Sequence, residues 1–421
     1  MTLVVTATFV LADYIVKGLA DGTFERVGGV IREIGTKHVV AWLKESGSNA
    51  VQLPTSTNSA PNFLNLIVSG ANLVTSGVNT AIVGKGLANV SQHLSDVEQQ
   101  VGNIQQSLQQ AQGILQIATA TSILGLGVSV MGFAAIAQRL KELEQRLQTA
   151  QELLNKLDRK IDLGYYANFR AALDLAINAF TMNKSENRRS SALQAINRFL
   201  EAEHIYTEYT DLELEQKSHI ADEYLLTLSL AYLAEVRCYL ELEEHDTALR
   251  RFQEGAAVLR SRILKYVELL LTPNPAAYLQ PQFKDRIDLQ RLTKIYQWID
   301  PVLNENAVFE MQRENLIKMA QEPNKWIDLL PSAILDPVEI PRGWFGRNHE
   351  DLKQEADKRL PQTMEVIESM IETNRRFESY QSEVKAIAQL GISFHDWLKL
   401  APAEAKPEAA ELMYIIPSAP L

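Results

Sequence analysis

The sequence predicts an all-α protein: a long antiparallel helical (coiled-coil) hairpin with an apolar apex, plus a multi-helix C-terminal domain. Three observations carry this prediction. Apolar residues recur in alternating steps of four and three from Val83 to Leu115 and again from Ser129 to Ile161, the signature of a helical seam. The chain between the two runs is neutral, with no charged side chain from Gln99 to Gln138. Beyond Ile161, amphipathic segments rich in strong helix formers follow one another with few breakers.

Residues 1–62 read as an N-terminal helical region and a connector. Helical pieces break at Gly18, Gly22 and Gly28-Gly29. Val39-Val40 is open to strand, since periodicity does not separate the two there. The apolar run Leu3 to Ala12 lacks a basic leader and is followed by Asp13, so it reads as the first turns of a buried helix rather than a secretion signal. The connector is the Ser/Thr/Asn/Pro-rich stretch from Gly47 to Pro61.

Residues 63–166 form the predicted hairpin. Gly70, Gly77 and Gly84 stand seven apart before its first arm, a spacing that lets helices approach closely. The two arms lie symmetrically about Ser122, with Gly125 and Gly127 weakening helix near the midpoint and Gly132 in the second arm. The apex tract runs from Ile114 to Ala137. Its apolar residues are Ile114, Leu115, Ile117, Ile123, Leu124, Leu126, Val128, Val130, Met131, Phe133 and Ile136. At 24 residues it is long enough to cross a bilayer core. Its Gln, Thr and Ser residues make a permanent span marginal.

Residues 167–322 read as a helical bundle domain, with helices over 169–182, 191–209, 220–242, 247–271, 286–298 and 304–321. Within it, Tyr232, Tyr239, Ala248, Phe252 and Gly255 look like several positions of a tetratricopeptide helix pair. A Pro-rich loop region follows at 323–350. Its Arg342, Trp344, Phe345 and Arg347 are candidates for partner contact. A long C-terminal helix is expected over 351–400, stopped near Gly391, and a flexible tail over 401–421.

No catalytic, cofactor or metal constellation emerges. "GVNTAIVGKG" has six residues between its glycines, and Gly86 follows Lys85, so a phosphate loop is absent. Glu201 and His204 form a single Glu-x-x-His pair where a di-metal bundle needs two. Cys238 is the one cysteine, which excludes an intrachain disulfide. The net charge of -11 argues against nucleic acid as a partner.

The paired heptad arms around an apolar apex resemble the α-helical pore-forming toxins of the haemolysin E type, over about residues 64–166. The chain is also similar to uncharacterised bacterial helical proteins with a hairpin and a helical body. The first resemblance implies a non-enzymatic, membrane-active effector of bacterial conflict or defence. Its apex would be concealed in a soluble, cytoplasmic form and inserted into a membrane on activation. The partners implied are further copies of the chain, membrane lipid, and a protein meeting the C-terminal domain. The competing expectation is a soluble coiled-coil scaffold for oligomerisation or partner binding, with no membrane role.

Overall fold

The computed structural model describes residues 6–11, 13–43, 114–118, 124–128, 131–154, 163–284, 286–321, 325–335, 349–399 and 413–415. Helix dominates, and the class is all-α in the main, as the sequence predicts. Two small sheets are added to it.

The N-terminal region departs from the helical expectation. Strand β1 (Thr6–Val10) leads into α1 (Asp13–Asp21), then β2 (Phe24–Val27), β3 (Val30–Glu33) and β4 (Val39–Leu43). Gly28-Gly29, read in the sequence as a helix break, is the two-residue turn of the β2–β3 hairpin. Gly28 takes a positive φ of 53° there, the backbone that tight hairpin turns demand. Short runs of Val, Ile, Phe and Trp suit a pleated surface, and cross-strand pairing settles what period alone did not. Val39-Val40 is strand.

Two distant segments complete the sheets. Strand β5 (Ile114–Ala118) pairs antiparallel with β1, from Thr6 opposite Ala118 to Val10 opposite Ile114. Strand β6 (Met413–Ile415) pairs antiparallel with β4, giving the order β2-β3-β4-β6. That corrects the flexible tail: its "MYI" is an edge strand.

The body is built from α2 (Phe133–Leu154), α3 (Gly164–Thr181), α4 (Ser185–Glu215), α5 (Ala221–Glu241) and α6 (His245–Leu271). It continues through α7 (Leu289–Ile299), α8 (Glu305–Gln321), α9 (Lys325–Asp328), α10 (His349–Leu390) and α11 (Phe394–Lys399). Helices α3 to α6 each pack on the next, α10 covers α6, and α2 lies on α3 and α5. Helix α5 is the central element and buries residues all round, Glu235 and Arg237 included. A helix apolar on every face belongs in a core. The long C-terminal helix expected to stop near Gly391 ends at Leu390, with Gly391 at φ 62° closing it, and the short helix α11 follows within the 351–400 region.

The first hairpin arm lies outside the described residues as far as 113, and its last residue, Leu115, is in strand β5 rather than in a helix. The second is helix α2, whose seam residues Ile136, Leu140, Leu143 and Leu147 are buried in the same core as the bundle. This arm is therefore part of the body rather than a projecting stalk. The partner-loop candidates Arg342, Trp344, Phe345 and Arg347 also lie outside the described residues.

Candidate functional site

The neutral tract is not a helical turn where it is described. Ile114, Leu115 and Ile117 are in β5, and Phe133 opens α2, with Gly132 just before it rather than inside an arm. Ile123 and Val130 lie outside the described residues. Short apolar runs carry both helical and strand readings, and β1 supplies the partner that selects strand for "ILQIA".

Residues 124–128 form neither α-helix nor strand, yet all five are buried. Their side chains divide between two cores. Leu124 and Val128, together with Met131, Phe133 and Ile136, enter the main core. Leu126 enters a small one with Phe9, Leu11, Ile15, Ile31, Ala41 and Leu43. The segment thus joins the N-terminal unit to the helical body.

A buried non-regular backbone needs partners for its amides and carbonyls. Here polar side chains from α5 and α10 supply them. The Tyr380 hydroxyl donates to the Gly125 carbonyl at 2.6 Å. The Val128 amide donates to Glu383 Oε2 at 2.8 Å, and its carbonyl accepts from Arg237 Nη1 at 3.1 Å. The Gly125 amide donates to Met131 Sδ at 3.1 Å. The neighbouring Gly127 is buried as well. Gly29 presses so close that a Cβ there would sit 2.1 Å from the Leu126 carbonyl oxygen.

A second layer fixes these partners. Glu383 accepts the Trp397 indole N–H at 2.7 Å. Trp397 meets Trp42 of β4 edge to face at 5.9 Å. Arg237 pairs with Glu241 at 2.8 Å and lies 4.4 Å over the Phe394 ring, a favourable cation–π placement. Burial pushes the Arg237 guanidinium below its usual value, opposed by Glu241. Further along α10, Glu372 takes both Arg26 nitrogens at 3.0 Å and Arg376 at 3.2 Å. Burial favours its neutral form, but Arg26 and Arg376 overcome that and hold it at about 2. These contacts form a clasp in which α5, α10 and α11 hold the tract and the sheet together.

The Glu201–His204 pair stays apart from any site. Glu201 pairs with Arg198 at 2.8 Å on an exposed face, and His204 is exposed. No group of three or more His, Cys, Asp or Glu placed to hold a metal exists among the described residues. Cys238 is buried, and burial pushes its thiol up. The tetratricopeptide-like positions do meet, since a Cβ on Gly255 would lie 2.7 Å from the Tyr232 ring. Among the described residues, no helix is long and apolar enough to cross a membrane.

Sequence reasoning missed Glu383, Tyr380, Trp397 and Arg237 as the tract's partners. Arg237 left one signal, a charge inside the apolar run "SLAYLAEVRCYL". No protein-family model matches the chain, and neither a curated protein nor a solved structure matches it.

Proposed function

We propose that the chain is a non-enzymatic, membrane-active effector, which keeps its neutral tract covered until a trigger opens the clasp. Several copies then insert together as a pore. The observation that supports this most is the mode of attachment at 124–128. The segment is held by foreign side chains rather than by a helix or ladder of its own, so removing those partners frees it to fold otherwise. In lipid a helix satisfies its own backbone. Ile114 to Ala137 as a helix would be about 36 Å long, against a hydrocarbon core of about 30 Å.

The same burial sets the need for a trigger. Exposing Leu124, Leu126, Val128 and Met131 costs roughly 6–12 kcal/mol at the usual value per buried apolar side chain. That rivals the whole stability of a typical domain, so thermal opening alone leaves the tract covered.

The test is permeabilisation of anionic vesicles by the full chain and by Trp397→Phe, which keeps the ring and loses the N–H. The expected result is greater leakage from the variant. Vesicles that neither protein binds or permeabilises, under any activating treatment, would overturn the reading. A second reading, a soluble scaffold without a membrane role, is favoured by the way Leu126 is built into a folded core. It predicts intact vesicles, together with self-association in sedimentation.

A further inference from the structure

A second buried polar cluster sits away from the clasp, where α4, α5 and α6 meet. Arg251 of α6 is its centre. Its Nε donates to both oxygens of Glu235 at 2.8 Å. Its Nη2 donates to Glu203 Oε2 at 2.5 Å, and its Nη1 pairs with Glu254. The Glu203 and Glu235 side chains are only 5% and 0% exposed. Glu203 Oε1 is buried and has no hydrogen-bond partner, while Glu203 and Glu235 crowd onto the same Arg251 guanidinium.

Two ionised carboxylates buried on one guanidinium repel each other and leave a buried oxygen unsatisfied. A proton between them removes both faults. We propose that the Glu203–Glu235 pair holds one proton in the folded chain and makes the α4–α5–α6 junction a proton-binding site. The groups facing it are Glu203 from α4, Glu235, Tyr232 and Tyr239 from α5, and Arg251 and Glu254 from α6, with Arg250 and Arg262 of α6 at its margin. Arg251 supplies one positive charge to Glu203 and Glu235, and Glu254 is shared with Arg250, so a second negative charge on the buried pair exceeds the one guanidinium that binds it. Burial first, and the facing Glu235 second, push Glu203 up to about 9. Burial pushes Glu235 up as well. The two titrate as a pair.

The folded value is raised above the ordinary 4.5 of a glutamate. The stabilising contribution is therefore complete below 4.5 and is lost as pH rises through about 9. Between those values the folded chain binds about one more proton at this pair than the unfolded chain. The fold thereby carries an element that loosens the helix stack under alkaline conditions, independently of any membrane role.

The experiment compares the full chain with Glu203→Gln, whose amide mimics the protonated acid and donates permanently to Glu235. Folding is followed calorimetrically at slightly alkaline pH in buffers of different ionisation enthalpy. The wild type is expected to take up about one proton more than the variant on folding. Its melting temperature is expected to fall toward about pH 9, while that of the variant falls less. Equal proton uptake and parallel pH profiles would overturn the proposal. Should Glu203→Gln fail to fold, Glu235→Gln is used, and the infrared C=O band of a protonated carboxyl is compared between it and the wild type at neutral pH. A weaker band in the variant supports the shared proton, and an equal band overturns it.

Discussion

Val128 and Glu383, separated by 255 residues, are joined by a 2.8 Å hydrogen bond from a backbone amide to a buried carboxylate. The other oxygen of that carboxylate takes the Trp397 indole at 2.7 Å. One side chain therefore ties the neutral tract, α10 and α11 into a single unit. Arg237 closes the unit from α5 through the Val128 carbonyl.

Removing the acceptor tests this unit directly. In Glu383→Ala, the Val128 amide and the Trp397 indole both lose the carboxylate that accepts from them. An unsatisfied buried donor costs about 1–3 kcal/mol, so we expect a loss of about 2–5 kcal/mol in denaturant unfolding. Glu383→Gln keeps one acceptor oxygen and should cost less. A loss below about 0.5 kcal/mol for Glu383→Ala, the range of ordinary surface changes, would show that the clasp does not hold the tract.

Gly29 tests the contact between the hairpin turn and the tract. An added Cβ would lie 2.1 Å from a carbonyl oxygen, and backbone on both sides cannot yield as a flexible side chain does. Gly29→Ala should cost about 1–3 kcal/mol, the range for overpacking, and should move the tract. The readout is the fluorescence of Trp42 and Trp397, which pack edge to face beside this contact. Unchanged emission with unchanged stability would show that the turn and tract slide apart freely.

The helices of the body were legible because their signals are local. Apolar spacing, strong helix formers and prolines place α5 to α8 within a few residues of the sequence expectation, and α4 extends six residues beyond it at each end. The N-terminal unit was not, because its decisive contacts are remote. "ILQIA" becomes a strand through Thr6–Val10, over a hundred residues earlier, and "MYI" becomes one through β4. The neutrality of the tract was visible, and the burial of residues 124–128 is one of the outcomes it allowed. Its holders were hidden, because Tyr380, Glu383 and Trp397 look like ordinary residues of an amphipathic helix pair until tertiary packing brings them to residues 124–128.

Leu126 separates the two cores experimentally. Among the described residues it is the tract residue that enters the small core, whereas Leu124 and Val128 enter the main one. Leu126→Ala should cost about 2–5 kcal/mol, the range for buried leucine truncation. Amides of β1 to β4 should exchange faster, with α4 to α6 keeping their protection. Uniform acceleration across the chain would instead mean that the two cores unfold as one cooperative unit.

Glu372 gives the docking of the sheet a pH signature. Arg26 from β2 reaches it with two nitrogens and Arg376 from its own helix with a third. The carboxyl is held at about 2 against an ordinary 4.5. A lowered folded value contributes stability that is present above 4.5 and lost as pH falls through about 2. At about 1.4 kcal/mol per unit, the contribution at neutral pH is at most about 3 kcal/mol. Glu372→Gln forfeits it and leaves Arg26 and Arg376 facing a neutral group, so the variant should be less stable by up to about 3 kcal/mol near neutrality. Acid protonates the wild-type carboxyl and erases the distinction between the two chains. The stability difference should therefore shrink steadily as pH falls below 4.5 and approach zero near about 2. Unfolding curves of both chains across that range decide the matter. A difference that stays constant with pH would mean that shape, rather than the carboxylate charge, seats β2 on α10.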